Sequence, residues 1–284
     1  MRVLYYLIII PISYLPYRLL YFISNLLCFV VFRIIKYRKN IVFNNIRNSF
    51  PDMTVNEINI IMLRFYSHFC DLILESITCF TISEEQIKDR LIIKNPEFTN
   101  KYAKENQDII LVGGHYNNWE IYGQGFSLFS NHICIGIYKP LSNIFMNSKI
   151  YKSRSKFGTR LIPMKKTIKS FEEKTIKPKM IVFGSDQNPT NPNKAYWLEF
   201  LKQDTAVAFG VEKYSKEYNC PVIFTTIRKK KRGVYEVEYS LITDKPKDEK
   251  YGEITTKFTN KLEEDIINRP EYWLWSHKRW KHKR

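Results

Sequence analysis

The stretch Asp108-Ile-Ile-Leu-Val-Gly-Gly-His-Tyr-Asn-Asn-Trp-Glu120 decides how this chain is expected to fold. It begins with a short apolar run rich in strand-forming residues, and Gly113 and Gly114 end that run. A segment compatible with a helix begins near Asn118. A strand, a glycine turn and a helix start in this order are typical of the places where α/β proteins hold reactive side chains.

Further strands are expected on the C-terminal side of this stretch. Residues 180–183, closed by Gly184, predict a second buried strand, and residues 221–227 predict a third. The basic run 228–232 together with Gly233 predicts a hairpin turn into a strand over residues 234–242.

One helix is expected before this strand region and one after it. Thr54 and Glu57 have the spacing of a capping box, and apolar residues behind them keep helical periodicity to about residues 79–83. A second helix is expected over residues 255–268, which Pro270 cannot continue. Strands interleaved with helices predict a single mixed-sheet α/β domain.

The N-terminal region is distinguished by its apolar composition. Residues 3–17 and 19–32 are two uncharged, mostly apolar runs separated by Arg18. As a helix, each run would be only about 22 Å long, against ~30 Å for a bilayer's hydrocarbon core. The two runs together predict one kinked span or a shallow, half-inserted hairpin. The alternatives are a cleaved signal peptide, which lacks a small-x-small cleavage site, and a buried pair of core helices.

The charge around these runs favours a membrane anchor. No acid occurs before Asp52, whereas seven basic residues do. A basic flank behind an apolar segment is typical of attachment to the anionic cytoplasmic leaflet. We therefore predict an anchor over residues 1–37 and one folded domain over residues 38–284.

The whole chain is basic, with 45 Lys and Arg against 28 Asp and Glu and a net charge of +17. This charge predicts anionic partners such as phospholipid headgroups, phosphorylated sugars, an acidic carrier protein or nucleic acid. Nucleic acid is the least expected of these, because the basic residues are spread along the chain without a recognisable binding module. The five cysteines, an odd number without a CxxC pair, argue against a disulfide framework and a zinc site.

His115 and Glu120 are the candidate catalytic pair. On one continuous helix they would diverge by ~140°, so they meet only if His115 lies in the turn before the helix and Glu120 in its first turns. A histidine held by a carboxylate is a general base with a fixed tautomer. On spacing alone, the alternative is a turn histidine beside an acid that the helix dipole stabilises. The sequence has no G-x-S-x-G elbow and no phosphate-binding loop, and it implies no metal and no cofactor.

The segment from Gly113 to Glu120 resembles the H-x4-(D/E) motif of the late lipid A acyltransferases, a branch of the glycerolipid acyltransferase superfamily. In this branch the motif commonly continues as Asn-Trp-Glu, as it does at residues 118–120. The similarity covers nearly the whole chain in family order, through residues 38–51, 138–143, 153–158, 161–163, 185–189 and 273–280.

The resemblance implies an acyltransferase at the cytoplasmic face of the bacterial inner membrane. A hydroxyl of a lipid A precursor would attack a thioester carried on acyl carrier protein or coenzyme A, with His115 as base, Glu120 as its partner and no covalent intermediate. Arg154 and Asp186 match positions in the family's blocks. Arg154 is expected to bind a substrate phosphate or the oxyanion, unless it forms a surface ion pair.

Two further residues are candidate substrate contacts. Asp186 is expected to orient Arg154 or the substrate, with an Asx turn as the alternative. Asn118 is expected to donate a hydrogen bond in the site or to cap the helix.

The chain departs from the family at residues 188–193 and 196–200, where a Gly- and Phe-rich stretch is common. The acyl length and the acceptor therefore stay open, and an aminolipid, a mannosylated lipid or a lysophospholipid is an alternative acceptor. A non-catalytic protein that binds anionic membranes or nucleic acid is the alternative from a different class.

Overall fold

The structure is a computed structural model that describes all 284 residues. Nine strands form two sheets. The strands are β1 (Leu91–Ile93), β2 (Ile109–Gly113), β3 (Ile133–Tyr138), β4 (Arg160–Pro163), β5 (Lys179–Gly184), β6 (Ala195–Phe200), β7 (Gln203–Ala208), β8 (Val222–Lys231) and β9 (Val234–Thr243).

The larger sheet has seven strands in the order β1-β9-β8-β2-β5-β3-β4. Strands β8, β2, β5, β3 and β4 are parallel, β9 returns antiparallel to β8, and β1 pairs parallel with β9. Strands β6 and β7 form a separate antiparallel hairpin. The expected strands after residues 108, 179, 221 and 233 are all present, and the predicted mixed α/β fold is confirmed.

The hairpin near residue 230 is tighter than expected. The run 228–232 was predicted to be a turn, but β8 continues through it to Lys231, which leaves Arg232 and Gly233 as the turn. The basic side chains are compatible with a strand because they meet acids on β9. Arg228 pairs with Glu238, and Lys230 pairs with Glu236 at 3.0 Å.

Helices cover both faces of the larger sheet. Along β2, Ile110 and Val112 face one apolar cluster while Ile109 and Leu111 face another. The alternation buries both faces of the central strand, as expected for a parallel sheet. The helices are α1 (Arg2–Ser13), α2 (Tyr17–Ile34), α3 (Lys39–Ser49), α4 (Val55–Thr78), α5 (Glu84–Arg90), α6 (Pro96–Lys104), α7 (Trp119–Gly125), α8 (Ile144–Arg154), α9 (Thr167–Glu172), α10 (Gly210–Tyr218) and α11 (Glu253–Asn268).

Helix α4 begins as the sequence predicts. The Thr54 hydroxyl accepts from the backbone N–H of Glu57, and the Glu57 carboxylate accepts from the backbone N–H of Thr54 at 2.7 Å. The capping box is therefore confirmed. The helix ends at Thr78, and α11 ends at Asn268, two residues before Pro270.

The two N-terminal runs form α1 and α2, with a break between Ser13 and Tyr17. Helix α2 is the one helix of the structure long and apolar enough to cross a membrane by length and composition. It lies along α4, with one face packed against it and the other exposed. The division into an anchor over residues 1–37 and a domain over residues 38–284 stays a prediction.

Candidate active site

The candidate site lies at the carboxyl ends of β2 and β5. These strands are parallel neighbours, and Gly113 is paired with Gly184 in register. His115 and Asp186 each lie two residues beyond their paired glycine, so the sheet itself brings them together. Reactive groups in open α/β sheets commonly lie at this edge.

Asp186 holds His115 through two hydrogen bonds. The Nδ1 of His115 lies 2.6 Å from the Oδ1 of Asp186, and the backbone N–H of His115 donates to Oδ2 at 2.8 Å. The indole N–H of Trp273 also donates to Oδ2, at 2.9 Å. A carboxylate partner fixes the tautomer with the proton on Nδ1, which leaves the Nε2 lone pair free for chemistry.

The pair is electrostatically polarised. Burial disfavours the charged imidazole, but the adjacent Asp186 carboxylate outweighs this effect and raises the pKa of His115 above its ordinary value. Burial of the Asp186 carboxyl would raise its pKa, but the charge and hydrogen bonds of His115 lower that pKa to about 2. Asp186 is therefore ionised at neutral pH, and His115 accepts a proton more readily than a free imidazole.

A glycine on β5 makes room for the imidazole. A Cβ atom added at Gly184 would lie 3.2 Å from the Cε1 of His115, which is closer than ordinary van der Waals contact. On its other side, the ring is in edge contact with Trp119, with ring centroids 5.1 Å apart. The histidine side chain is thus confined on two sides and remains 25% exposed.

Glu120 lies in the first turn of α7, as expected, but it is not bonded to His115. Its carboxylate instead accepts two hydrogen bonds from Arg154 at the end of α8, from Nε at 3.0 Å and from Nη2. The expected His115–Glu120 pair is therefore corrected to two pairs, His115–Asp186 and Glu120–Arg154. The physical reason is the β2–β5 register, which gives His115 a nearer carboxylate than the one on the helix that follows it.

Asn118 and Asp186 both have hydrogen-bond partners within the protein. The amide of Asn118 is buried, accepts from the backbone N–H of Ile121 at 3.0 Å and donates to Glu75 at 2.6 Å. It is the N-cap of α7, the second of the two roles expected for it. Asp186 is buried and binds His115 and Trp273 where a contact with Arg154 was one expectation, and its expected role toward the substrate stays a prediction.

An open pocket of about 330 Å³ lies in front of these pairs. Its lining includes the charged or polar side chains of His115, Glu120 and Arg154 and apolar side chains such as Phe126, Phe183 and Leu161. The amide nitrogen of Gln187 reaches into it and lies 3.2 Å from the Nε2 of His115. The reactive nitrogen of the histidine therefore faces a space where a substrate fits.

A second cavity of about 200 Å³ adjoins the first. The Glu120–Arg154 ion pair belongs to the walls of both cavities. Ile77, Phe80, Met146 and Ile150 give the second cavity an apolar lining. A half-buried charge pair therefore lies between the main pocket and an apolar cavity.

Three residues of the site were missed from the sequence, namely Gln187, Trp273 and Arg279. Arg279 is buried near Asp186; burial lowers its pKa to about 10, and the Asp186 charge opposes that shift. The signal for the His115–Asp186 pair was present, since both predicted strands end in glycine with the reactive residue two positions later. Nothing local marks Trp273, whose contact depends on the path of the C-terminal segment.

The model of one protein family, described as bacterial lipid A biosynthesis acyltransferase, matches residues 1–282 of the chain. A comparison with curated proteins found no match. The family match covers nearly the entire chain, including both ion pairs and the Trp273 contact.

Proposed function

We propose a specific reaction and mechanism for this chain, which belongs to the bacterial lipid A biosynthesis acyltransferase family. A fatty acyl group passes from an acyl thioester to a hydroxyl of a lipid A precursor. His115 is the general base, and Asp186 is the carboxylate that supports it. The observation that carries the proposal is the bond between Nδ1 and Asp186, which leaves Nε2 directed at the pocket.

The acceptor hydroxyl takes the place of the Gln187 amide at Nε2. Its proton moves to Nε2 while its oxygen bonds to the thioester carbonyl carbon. Asp186 stabilises the imidazolium formed in this step, as the aspartate of a Ser-His-Asp triad does. When the carbon–sulfur bond breaks, the proton on Nε2 passes to the leaving thiolate, so His115 ends the cycle neutral. The substrate hydroxyl thus stands where a hydrolase has its serine, and no covalent enzyme intermediate forms.

Arg154 is proposed to stabilise the oxyanion. Its Nε and Nη2 bind Glu120, whereas Nη1 makes no hydrogen bond within the protein. A guanidinium fixed by two bonds is preorganised for the charge that develops on the carbonyl oxygen, and such donors typically contribute more than flexible ones. Glu120 is then a positioning residue, because it acts through Arg154.

The cavities suit the two kinds of group that the reaction brings together. The main pocket has the charged residues that phosphorylated headgroups need, and the adjoining apolar cavity has the lining that an acyl chain needs. The net charge of +17 favours an acidic carrier protein or a phosphorylated cofactor as the thioester carrier.

The test is an in vitro assay with the full chain in purified membranes. Acyl carrier protein and coenzyme A thioesters of several chain lengths are offered with a lipid A precursor. His115→Gln is expected to lower transfer roughly 10²–10⁴-fold, the range for loss of a general base. His282→Gln, a histidine of the C-terminal tail, is the matched control and is expected to keep normal turnover. Near-normal turnover by folded His115→Gln would contradict the mechanism, and wild-type failure with every donor would contradict the acceptor.

A further inference from the structure

We propose that a second surface, separate from the N-terminal helices, inserts into a bilayer that carries anionic headgroups. This surface consists of residues 139–144, which follow β3, and residues 164–169, which follow β4, and we call it the basic lip. Its occupant is the lipid surface itself.

The sheet places the basic lip at the mouth of the main pocket. Strands β3 and β4 are parallel, and Tyr138 is paired with Pro163 at their carboxyl ends. The two segments therefore leave the sheet side by side, on the same edge as His115. Lys139 and Met164 also line the main pocket, so the lip forms part of its rim.

The lip exposes large apolar side chains to solvent. Ile144 is 86% exposed and Met164 is 54% exposed, and Leu141 and Ile168 are 48% and 45% exposed. Single exposed apolar residues are common on protein surfaces, but a cluster at a pocket mouth marks an interaction site.

Unpaired lysines surround these apolar residues. Between Glu120 and Glu172 the chain has nine Lys and Arg and no Asp or Glu. None of the seven lysines in this stretch forms an ion pair with a carboxylate in the structure: Lys139, Lys149, Lys152, Lys156, Lys165, Lys166 and Lys169. Apolar side chains among lysines fit the interface of an anionic bilayer, where the apolar groups enter the acyl boundary and the ammonium groups stay at the phosphates.

The lip is continuous with the apolar N-terminus. The rings of Phe145 on α8 and Tyr5 on α1 are in edge contact, with centroids 5.5 Å apart. The ammonium of Lys149 donates to the hydroxyl of Tyr6 at 3.2 Å. Helix α1, whose Leu7 is 71% exposed, therefore packs beside the first turns of α8, where Ile144 lies.

This geometry directs the mouth of the pocket at the bilayer surface. If the proposed function holds, a lipid acceptor reaches His115 without leaving the membrane. Membrane insertion of the lip itself does not depend on that function, because its evidence is exposure, charge and position alone.

The test uses the full chain in lipid nanodiscs with a polarity-sensitive fluorophore on Ile144→Cys. Ile176→Cys is the matched control, because Ile176 is 101% exposed but precedes β5, at the opposite edge of the sheet. Four of the five native cysteines are buried, and wild type taken through the same labelling is the blank. We expect the label at residue 144 to shift to shorter emission wavelength and to be quenched by nitroxide lipids, while the label at residue 176 stays water-like.

Charge variants test the anionic part of the proposal. In nanodiscs with anionic lipid, Lys165→Glu/Lys166→Glu is expected to reduce insertion of the label by roughly fivefold or more, since each lysine near such a surface contributes to binding. Lys174→Glu/Lys177→Glu, on the opposite edge, is expected to have no effect.

Three results would overturn the proposal in whole or in its anionic part. A label at residue 144 that stays in water would exclude insertion, and equal insertion of both labels would exclude a lip-specific contact. Equal insertion into purely zwitterionic nanodiscs would remove the role of the lysines. Since every readout is fluorescence of the bound protein, failure here is distinct from failure of the acyl-transfer assay.

Discussion

The hydrogen bond from His115 to Asp186 determines which imidazole nitrogen does the chemistry. With Nδ1–H held by the carboxylate, Nε2 accepts a proton only while the ring is neutral. The raised pKa of His115 means that this neutral form is lost at a higher pH than for a free histidine. Transfer should therefore fall as pH is lowered through the pKa of His115 and level off above it.

Substituting Asp186 by Asn should change both the rate and this pH dependence. Without the carboxylate, the imidazole can adopt the tautomer with its proton on Nε2, and the imidazolium loses its stabilising charge. We therefore expect kcat/KM to fall by roughly 10³–10⁴-fold. Burial would then dominate the pKa of His115, so the acid limb should move to lower pH. The measurement is kcat/KM from acid to alkaline pH, since a merely structural defect lowers the rate without moving the limb.

Asp52→Asn is the control for that substitution, because Asp52 forms an ion pair with Lys202 at an exposed position. It should leave the rate and the profile unchanged. An Asp186→Asn profile with its acid limb in the wild-type position would contradict the role assigned to Asp186.

Glu120 and Arg154 should behave as one unit. Arg154→Lys loses the two-bond geometry, and we expect a fall in kcat of roughly 10²–10³-fold, as for loss of an oxyanion donor. Glu120→Gln should lower kcat roughly 10–100-fold, because a neutral amide binds Arg154 more weakly than a carboxylate does. A double-mutant cycle in kcat measures the coupling, and the double variant should be no worse than Arg154→Lys alone. Fully additive losses would instead indicate that Glu120 acts independently of Arg154, for example as the partner of His115 that the sequence predicts.

The sequence predicts which residues belong to the site but not which residues they pair with. His115, Glu120 and Arg154 do line one pocket. The partners were different because hydrogen bonds at a sheet edge follow strand register, and the order of neighbouring strands is not contained in local spacing. The adjacency of β2 and β5 decides that Asp186, 71 positions away in the chain, lies nearer His115 than Glu120 does.

At the scale of elements, α7 depends on a buried polar network around Glu75 of α4. The Glu75 carboxylate accepts from Asn118, the N-cap of α7, at 2.6 Å and from Tyr235 of β9 at 2.7 Å. It also accepts from Tyr21 of α2 at 2.8 Å. The helix that presents Glu120 is therefore tied to both the sheet and the N-terminal helix.

Asn118→Ala tests this network. The variant loses a helix cap, about 1 kcal/mol, and a buried hydrogen bond to a carboxylate, about 1.5–3 kcal/mol. We expect the free energy of unfolding to fall by about 2–4 kcal/mol, with reduced transfer because Glu120 moves. Ser83→Ala removes the exposed N-cap of α5 and should cost only about 1 kcal/mol, with normal transfer. Equal losses for the two caps in denaturant unfolding would contradict the network.

Elements with strong local signals were predictable, and elements that depend on partners were not. The capping box fixed the start of α4, and glycine marked the ends of β2 and β5. Strand β4 has only four residues and lies at the sheet edge, so its sequence has little periodicity to detect. The basic end of β8 was mistaken for a turn because the acids that neutralise it are on β9.

At the scale of the molecule, both ends of α2 lie against the folded domain. At its start, Tyr17 is hydrogen-bonded to Thr78 at 3.0 Å, and near its end Phe32 packs on Tyr66 with ring centroids 5.1 Å apart. Before α2, the Tyr5 ring of α1 contacts Phe80 at 5.4 Å between centroids. The N-terminal helices therefore follow the domain surface and present their other face outward.

This packing predicts an in-plane, monotopic attachment in which α2 does not cross the bilayer. A crossing α2 would carry the neighbouring α4, with its exposed Arg64, into the hydrocarbon core, where an unpaired charge costs several kcal/mol. It would also place α1 on the opposite side of the bilayer, away from Phe80. Epitope tags at both termini should therefore be digested together by protease added to inside-out vesicles. In right-side-out vesicles both should be protected until detergent is added. Protection of the N-terminal tag alone in inside-out vesicles would establish a span, and α1 and α2 would then have to leave α4 when the protein enters the membrane.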